Sequence, residues 1–332
     1  MKKMILLSLL VGLAAIFPFV GQAQATSFVK GDVFADVGGG FIKEFQPDGT
    51  FVQALNTKHP GEGDGMAFDS SGNLYATSGF PANTVVKFDS NGNLVNANFG
   101  TGYNLHPESV VVDNTNGLVY VGQADGTGHV LKFNLNGGVV APGSFNPGIQ
   151  NRGTEMIDLE ANLHTIRYIS EGTTIFRYDL ATSTQLTPFA TGLPSTSTAY
   201  AHRILSDGGE LVADTNVILR LNSAGTVVNT FTIPNTSLLF AITLDPDGKT
   251  FWTADYLNGE IFHLDISSGT VLGHFNGFTV GDPLAPGGPL GGLAVFGEIT
   301  PSNPVPEPAT MLLLGSGLLG LLEYGRKKIF KK

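Results

Sequence analysis

The sequence predicts an all-β fold, a six-bladed β-propeller closed by its N- and C-terminal strands in one blade and held between two apolar terminal segments. Three observations predict it. Strand-like stretches recur six times at intervals of 43 to 45 residues, each stretch alternates apolar and polar residues between Asn/Asp-Gly turns, and the first copy lacks a strand that the chain supplies after the last copy. A period in the low forties made of short strands and turns fits propeller blades and not a helical solenoid.

The repeat is read from GFIKEFQPDGTFVQAL (40–55), TVVKFDSNGNLVNANF (84–99), HVLKFNLNGGVVAPGSF (129–145), TIFRYDLATSTQLTPF (174–189), VILRLNSAGTVVNTF (217–231) and EIFHLDISSGTVLGHF (260–275). Aligned, they place Glu44, Lys87, Lys132, Arg177, Arg220 and His263 at one position, with spacings of 43, 45, 45, 43 and 43. A second series precedes the later copies: MAFDSSGNLYAT (66–77), VVVDNTNGLVYVG (110–122), a degenerate MIDLEANLHTIRYIS (156–170), ILSDGGELVAD (204–214) and ITLDPDGKTFWTAD (242–255). Each unit is therefore four short strands. The first unit, GDVFADVGGGFIKEFQPDGTFVQAL, lacks the inner strand, and GGLAVFGEI (291–299) is one strand in excess. Joined in one blade, they close the ring without a crosslink and leave no open seam between first and last blade.

The N-terminal segment, residues 1–25, reads as a signal peptide. Lys2 and Lys3 form a basic n-region, Met4 to Val20 an apolar h-region, and Ala23-Gln24-Ala25 a small-x-small cleavage site, so the mature chain begins near Thr26. An uncleaved N-terminal anchor is the alternative. At the other end, Ala309–Leu322 is a Leu/Gly-rich run of 14 residues without charge, followed by Arg326, Lys327, Lys328, Lys331 and Lys332. A bilayer core asks for roughly 20 apolar residues, so the run is a short spanning helix, about 309–324, that needs Glu323 and Tyr324 at the interface. The basic tail stays cytoplasmic by the positive-inside tendency, which places the bulk of the chain on the far side. A buried core helix is the competing reading, but five cations stand where such a helix would need a cap.

Pro306-Glu307-Pro308, the apolar helix, and the Arg326-Lys327-Lys328 cluster at the extreme C-terminus together resemble the PEP-CTERM sorting signal of exopolysaccharide-producing Gram-negative bacteria. The resemblance covers about the last 30 residues. It implies export by the general secretory route, transient anchoring in the inner membrane, and processing by an exosortase, with the cell surface or extracellular matrix as destination. It implies no activity for the body. The chain then divides into a signal peptide (1–25), a propeller (26–299), a linker (300–304) and a sorting signal (305–332) with its basic tail at 326–332.

Composition bounds what the body can do. The chain has no Cys, which excludes disulfides, thiol chemistry and thiolate-bound metal. Of 18 Lys+Arg and 28 Asp+Glu, seven cations and two acids lie in the terminal segments, leaving 11 against 26 and a net charge near −15. Nucleic acid is excluded as a partner, because binding it requires cations that neutralise phosphates. A surface of this sign is soluble in hydrated polysaccharide and attracts cations.

FWTADYLNGEIFHLD (251–265) resembles an NHL-repeat or gluconolactonase/regucalcin-like blade. Across 27–299 that resemblance implies the six-bladed class. Regucalcin-like lactonases hold one divalent cation in the channel with a glutamate, two asparagines and an aspartate, and that full set is not in place here. Position supplies other candidates. Five residues before the end of each inner strand stand Asp64, Glu108, Glu155, Ala201, Phe240 and Gly291, with His202 one residue further along. Three consecutive blades thus offer a carboxylate at one channel mouth. Such a set suits one divalent cation, Ca²⁺ with about six to eight oxygens or a smaller ion with His202; acids solvated at the rim are the alternative.

The remaining signals are structural. DSSGN (69–73), DSNGN (89–93) and DPDGK (245–249) lack the twelfth-position Glu of a calcium loop and read as Asp/Asn-Gly turns. GDVFADVGGGF lacks the context of a phosphate cradle, no GxSxG elbow occurs, and Trp252 reads as a residue packed between blades. Two functions follow: a non-catalytic surface propeller that binds a glycan, a protein or an ion, or a metal-dependent hydrolase or lactonase working in the channel.

Overall fold

The computed structural model describes residues 26–148, 151–194, 198–278 and 288–301. The signal peptide with Ala23 and Ala25, and the sorting segment with Pro306, Glu307, Pro308, Arg326, Lys327 and Lys328, lie outside the described residues. Among those described there is no helix, hence none long and apolar enough to cross a membrane.

Among the described residues twenty-four strands form six four-stranded antiparallel sheets. Blade I holds β1 (Val33–Asp36), β2 (Phe41–Phe45) and β3 (Phe51–Asn56). Blade II runs through β4 (Met66–Phe68), β5 (Leu74–Ser78), β6 (Thr84–Phe88) and β7 (Leu94–Phe99), and blade III through β8 (Pro107–Asp113), β9 (Leu118–Gln123), β10 (Val130–Asn134) and β11 (Val139–Phe145). Blade IV comprises β12 (Met156–Leu159), β13 (Thr165–Ile169), β14 (Thr174–Asp179) and β15 (Thr184–Thr191). Blade V is β16 (Ala199–Ile204), β17 (Glu210–Asp214), β18 (Val217–Leu221) and β19 (Val227–Thr232), and blade VI is β20 (Leu239–Leu244), β21 (Thr250–Asp255), β22 (Glu260–Asp265) and β23 (Val271–Asn276).

The last strand, β24 (Gly292–Val295), returns to blade I, whose order is β24-β1-β2-β3. It pairs antiparallel with β1, Val33 opposite Val295 and Asp36 opposite Gly292. This is the closure that the missing and surplus strands predicted. Blades II to VI keep chain order from inner to outer strand and in blade I β24 takes the inner place, so the six inner strands line one channel.

The core is a ring of six apolar clusters, one at each blade interface. Second strands are therefore buried on both faces. In β1, Val33 and Ala35 pack toward blade VI while Phe34 packs toward blade II. Outer strands face solvent, and their tips are exposed at Val95, Val228 and Leu272. Trp252, 1% exposed, lies in the blade VI–I cluster and stacks on His263 at 4.2 Å, with its indole N–H donated to Asp245. The Asp-Gly segments are turns: Asp69 accepts from the backbone N–H of Ser71 and Asn73 at 2.9 Å, and Gly72 takes φ 81°, where a side chain would be strained.

Candidate functional site

The residues before each inner strand and after each second strand surround one mouth of the channel. Arg152, on the loop that enters β12, reaches into this mouth and meets four carboxylates. Its Nη2 donates to Glu108 at 2.7 Å and Asp125 at 3.1 Å, and its Nη1 donates to Glu155 at 3.0 Å and Glu171 at 2.9 Å. Asp125 also pairs with His106 Nδ1 at 3.0 Å. Blades III and IV are thereby joined at the mouth by one guanidinium.

Glu108 and Glu155 have side chains 7% and 0% exposed. Burial raises both carboxyls above the ordinary glutamate range; for Glu155 the charge of Glu108 adds to it, and Arg152 opposes the rise in both. Each leaves Oε2 buried without a hydrogen-bond partner. A proton shared between the two carboxyls would satisfy both atoms. Burial pushes the Arg152 guanidinium down, but the Asp125 hydrogen bond and the Glu108 and Glu155 charges outweigh this and hold it above its usual value.

Asp64 stands beside this pair. Its carboxyl is raised well above the aspartate range by burial, then by the charges of Glu108, Glu62 and Asp36. It occupies space that Gly291 leaves open, since a Cβ there would lie 2.2 Å from Asp64 Oδ1. Asp36, at the end of β1, is pushed up to about 8 by burial although Gly38 N–H donates to it at 2.9 Å. Across the ring Tyr256 donates to Glu62 at 3.0 Å, and Phe240 packs between Tyr200 and Tyr256 at 5.3 and 4.9 Å. Just inside the mouth the channel narrows to a void of about 20 Å³ that Asp64, Ala201, Arg203 and Phe240 help to line.

The structure thus brings together Asp64, Glu108 and Glu155 and sets His202 apart. His202 is fully buried, its Nδ1 2.5 Å from Glu210 Oε1 and its Nε2 3.3 Å from the Met156 carbonyl. Glu210 accepts from Arg167 at 2.8 Å, and Arg167 and Arg177 share Glu160 at 3.0 and 2.8 Å. That network ties blade IV to blade V, away from the acidic mouth. Among the described residues no group of three or more His, Asp and Glu side chains is placed to hold a metal ion. Sequence reasoning missed Arg152, Asp125 and Glu171; the one available signal was the scarcity of cations in the body, which makes an arginine three residues before Glu155 conspicuous.

Comparison with known proteins agrees with this anatomy. Residues 304–327 match the model of the PEP-CTERM protein-sorting motif. The protein is accordingly an exported one, with a C-terminal membrane-anchoring sorting signal of the kind an exosortase recognises and a six-bladed propeller as its body. By sequence, no curated protein matches. By structure, the chain is similar to a chain in the crystal structure of a nidogen/laminin complex, with 14% identity and TM-score 0.60, over 80% of this chain and 98% of that one. It is also similar to a protein of unknown function from Bacteroides caccae, with 13% identity and TM-score 0.60, over 80% and 99%. At these identities the likeness shows the fold alone.

Proposed function

We propose that this exported propeller is a non-catalytic binding protein of the cell surface or extracellular polysaccharide, holding a glycan or a protein ligand. One observation carries the reading. The mouth at which a channel enzyme would gather its ligands is filled from within, because Arg152 takes the central place among Glu108, Glu155, Asp125 and Glu171. A guanidinium with four carboxylates around it supplies there the positive charge that a bound cation would otherwise supply. The void just inside this mouth, about 20 Å³, has room for about one water. Export and sorting supply the location, and a rigid ring of blades supplies a platform whose rims present loops.

The test uses the exported protein recovered from an exosortase-competent host. Offered its host's exopolysaccharide and surface proteins, it should be retained by one of them, and offered a panel of sugar lactones with Ca²⁺, Mg²⁺, Mn²⁺ or Zn²⁺ it should hydrolyse none. Hydrolysis that depends on the divalent ion and disappears in Glu108→Gln would overturn the proposal in favour of a channel lactonase.

A further inference from the structure

The opposite mouth of the channel, where the inner strands end, holds a cavity of about 340 Å³. That volume lies within the range of small-molecule sites, roughly 300–1,000 Å³. Its composition is that of a built site. Phe68 and Phe296, 5.0 Å apart, form an aromatic wall continued by Val111 on β8. The polar side is made by Arg203 on β16, Asp158 on β12, Glu298 after β24, and Asn114 and Ser70 at the rim.

The polar groups are fixed by the scaffold. Arg203 donates from Nε to Glu298 at 3.0 Å and from Nη1 to the His202 carbonyl at 3.0 Å. Glu298 accepts the Leu244 N–H at 2.8 Å, and Asp158 accepts the Ile204 N–H at 2.8 Å. Among the described residues Arg203 Nη2 has no hydrogen-bond partner, and its side chain, 15% exposed, lines the cavity. A scaffold-held guanidinium with one donor edge unused, set beside carboxylate acceptors and opposite an aromatic wall, points to an occupant that presents hydroxyl groups on one side and C–H groups on the other.

Charge selects the occupant further. Arg203 is paired with Glu298, and Asp69 at the cavity edge lies 3.9 Å from Lys87 Nζ. Asp158 and Lys30 complete the lining with one charge of each sign. The lining carries Lys30 and Arg203 against Asp69, Asp158 and Glu298, so it offers no positive excess that would select an anionic sugar.

We infer that this cavity is a binding site for a short neutral saccharide, a mono- or disaccharide unit, with its hydroxyls on Arg203 and the flanking carboxylates and its C–H face on Phe68 and Phe296. The inference rests on the binding role proposed above and names its ligand class and place, on the face opposite the Arg152 cluster.

The test is calorimetric titration of the exported protein with cellobiose, lactose, maltose and N-acetylglucosamine, and with glucuronate as the charged probe. At least one neutral probe should bind, and glucuronate should bind about tenfold more weakly or not at all. Ser70→Trp, at an exposed rim turn where the fold tolerates bulk, should weaken the neutral probe by about tenfold or more with unchanged thermal unfolding. Arg203→Lys should weaken it too, whereas Arg152→Met at the other mouth should not. Absence of binding by every neutral probe, preference for glucuronate, or binding indifferent to Ser70→Trp would each overturn the assignment. Retention of host exopolysaccharide that survives Ser70→Trp would overturn this placement and leave the binding role standing; no retention by polysaccharide or surface protein would remove the binding role itself.

Discussion

Replacing Arg152 with Met keeps the volume of the side chain and deletes the one cation at the acidic mouth. Two of its four partners, Asp125 and Glu171, have side chains 38% and 31% exposed, and pairs of that kind contribute at most about 1 kcal/mol each. The cost falls on Glu108 and Glu155, which are buried. Stranding buried carboxylates costs about 3–5 kcal/mol, and because Arg152 is 28% exposed the low end, about 3 kcal/mol, is expected. In a body of this size that is a fall of roughly 5 °C in Tm. The pH dependence follows from the direction of the shifts. Carboxyls raised in the folded state bind more protons there than in the unfolded chain, so their stability is fully present below the ordinary value of 4.5 and is lost as pH rises through their folded values. Arg152 opposes that rise, so its removal should cost more at pH 8 than at pH 5. Differential scanning calorimetry of wild type, Arg152→Met and Arg152→Met/Glu155→Gln at both pH values checks this, with the double variant regaining part of the loss. A single variant that melts within 1 °C of wild type at pH 8, or is hurt equally at pH 5, refutes the reasoning.

Three other outcomes are expected. Asp36, whose carboxyl is pushed up to about 8, destabilises the fold as pH climbs from about 4 through 8, so Asp36→Asn should flatten that decline; an unchanged pH–stability curve would refute it. Leu293→Ala in β24, at a site 2% exposed, should cost about 2–5 kcal/mol by opening a cavity in the blade that closes the ring, and a loss no larger than that of a surface substitution would show that β24 does not seal it. Intact-mass measurement of the surface form should find the chain shortened within or before 304–327, and retention of Lys332 there would refute processing.

Most of the fold was legible because its determinants are local. Alternation in each strand, Asn/Asp-Gly turns and a fixed interval repeat six times, and the inventory of strands alone assigns β24 to blade I. The site was legible in part. Counting back from the strand ends found Asp64, Glu108 and Glu155, because equivalent positions in a propeller converge on the axis. The same count put Ala201 in the channel, where it is found, and His202 is one residue further along. In a strand, one residue is the other face, so His202 turns into the blade interface toward Glu210. Arg152 had no periodic signal, since one blade alone carries it, and the meeting of a blade III acid with a blade IV loop is a property of the closed ring rather than of any repeat.

On the proposed function, Arg152 fills the acidic mouth from within and the propeller binds through its surfaces. The most direct measurement is the Tm of the exported protein in EDTA and in millimolar Ca²⁺, Mg²⁺, Mn²⁺ and Zn²⁺. The claim predicts the same Tm in all five conditions. A rise with one ion, of the size that about 2.7 kcal/mol of linkage gives at a hundredfold excess over its dissociation constant, and abolished by Glu108→Gln/Glu155→Gln, would contradict it.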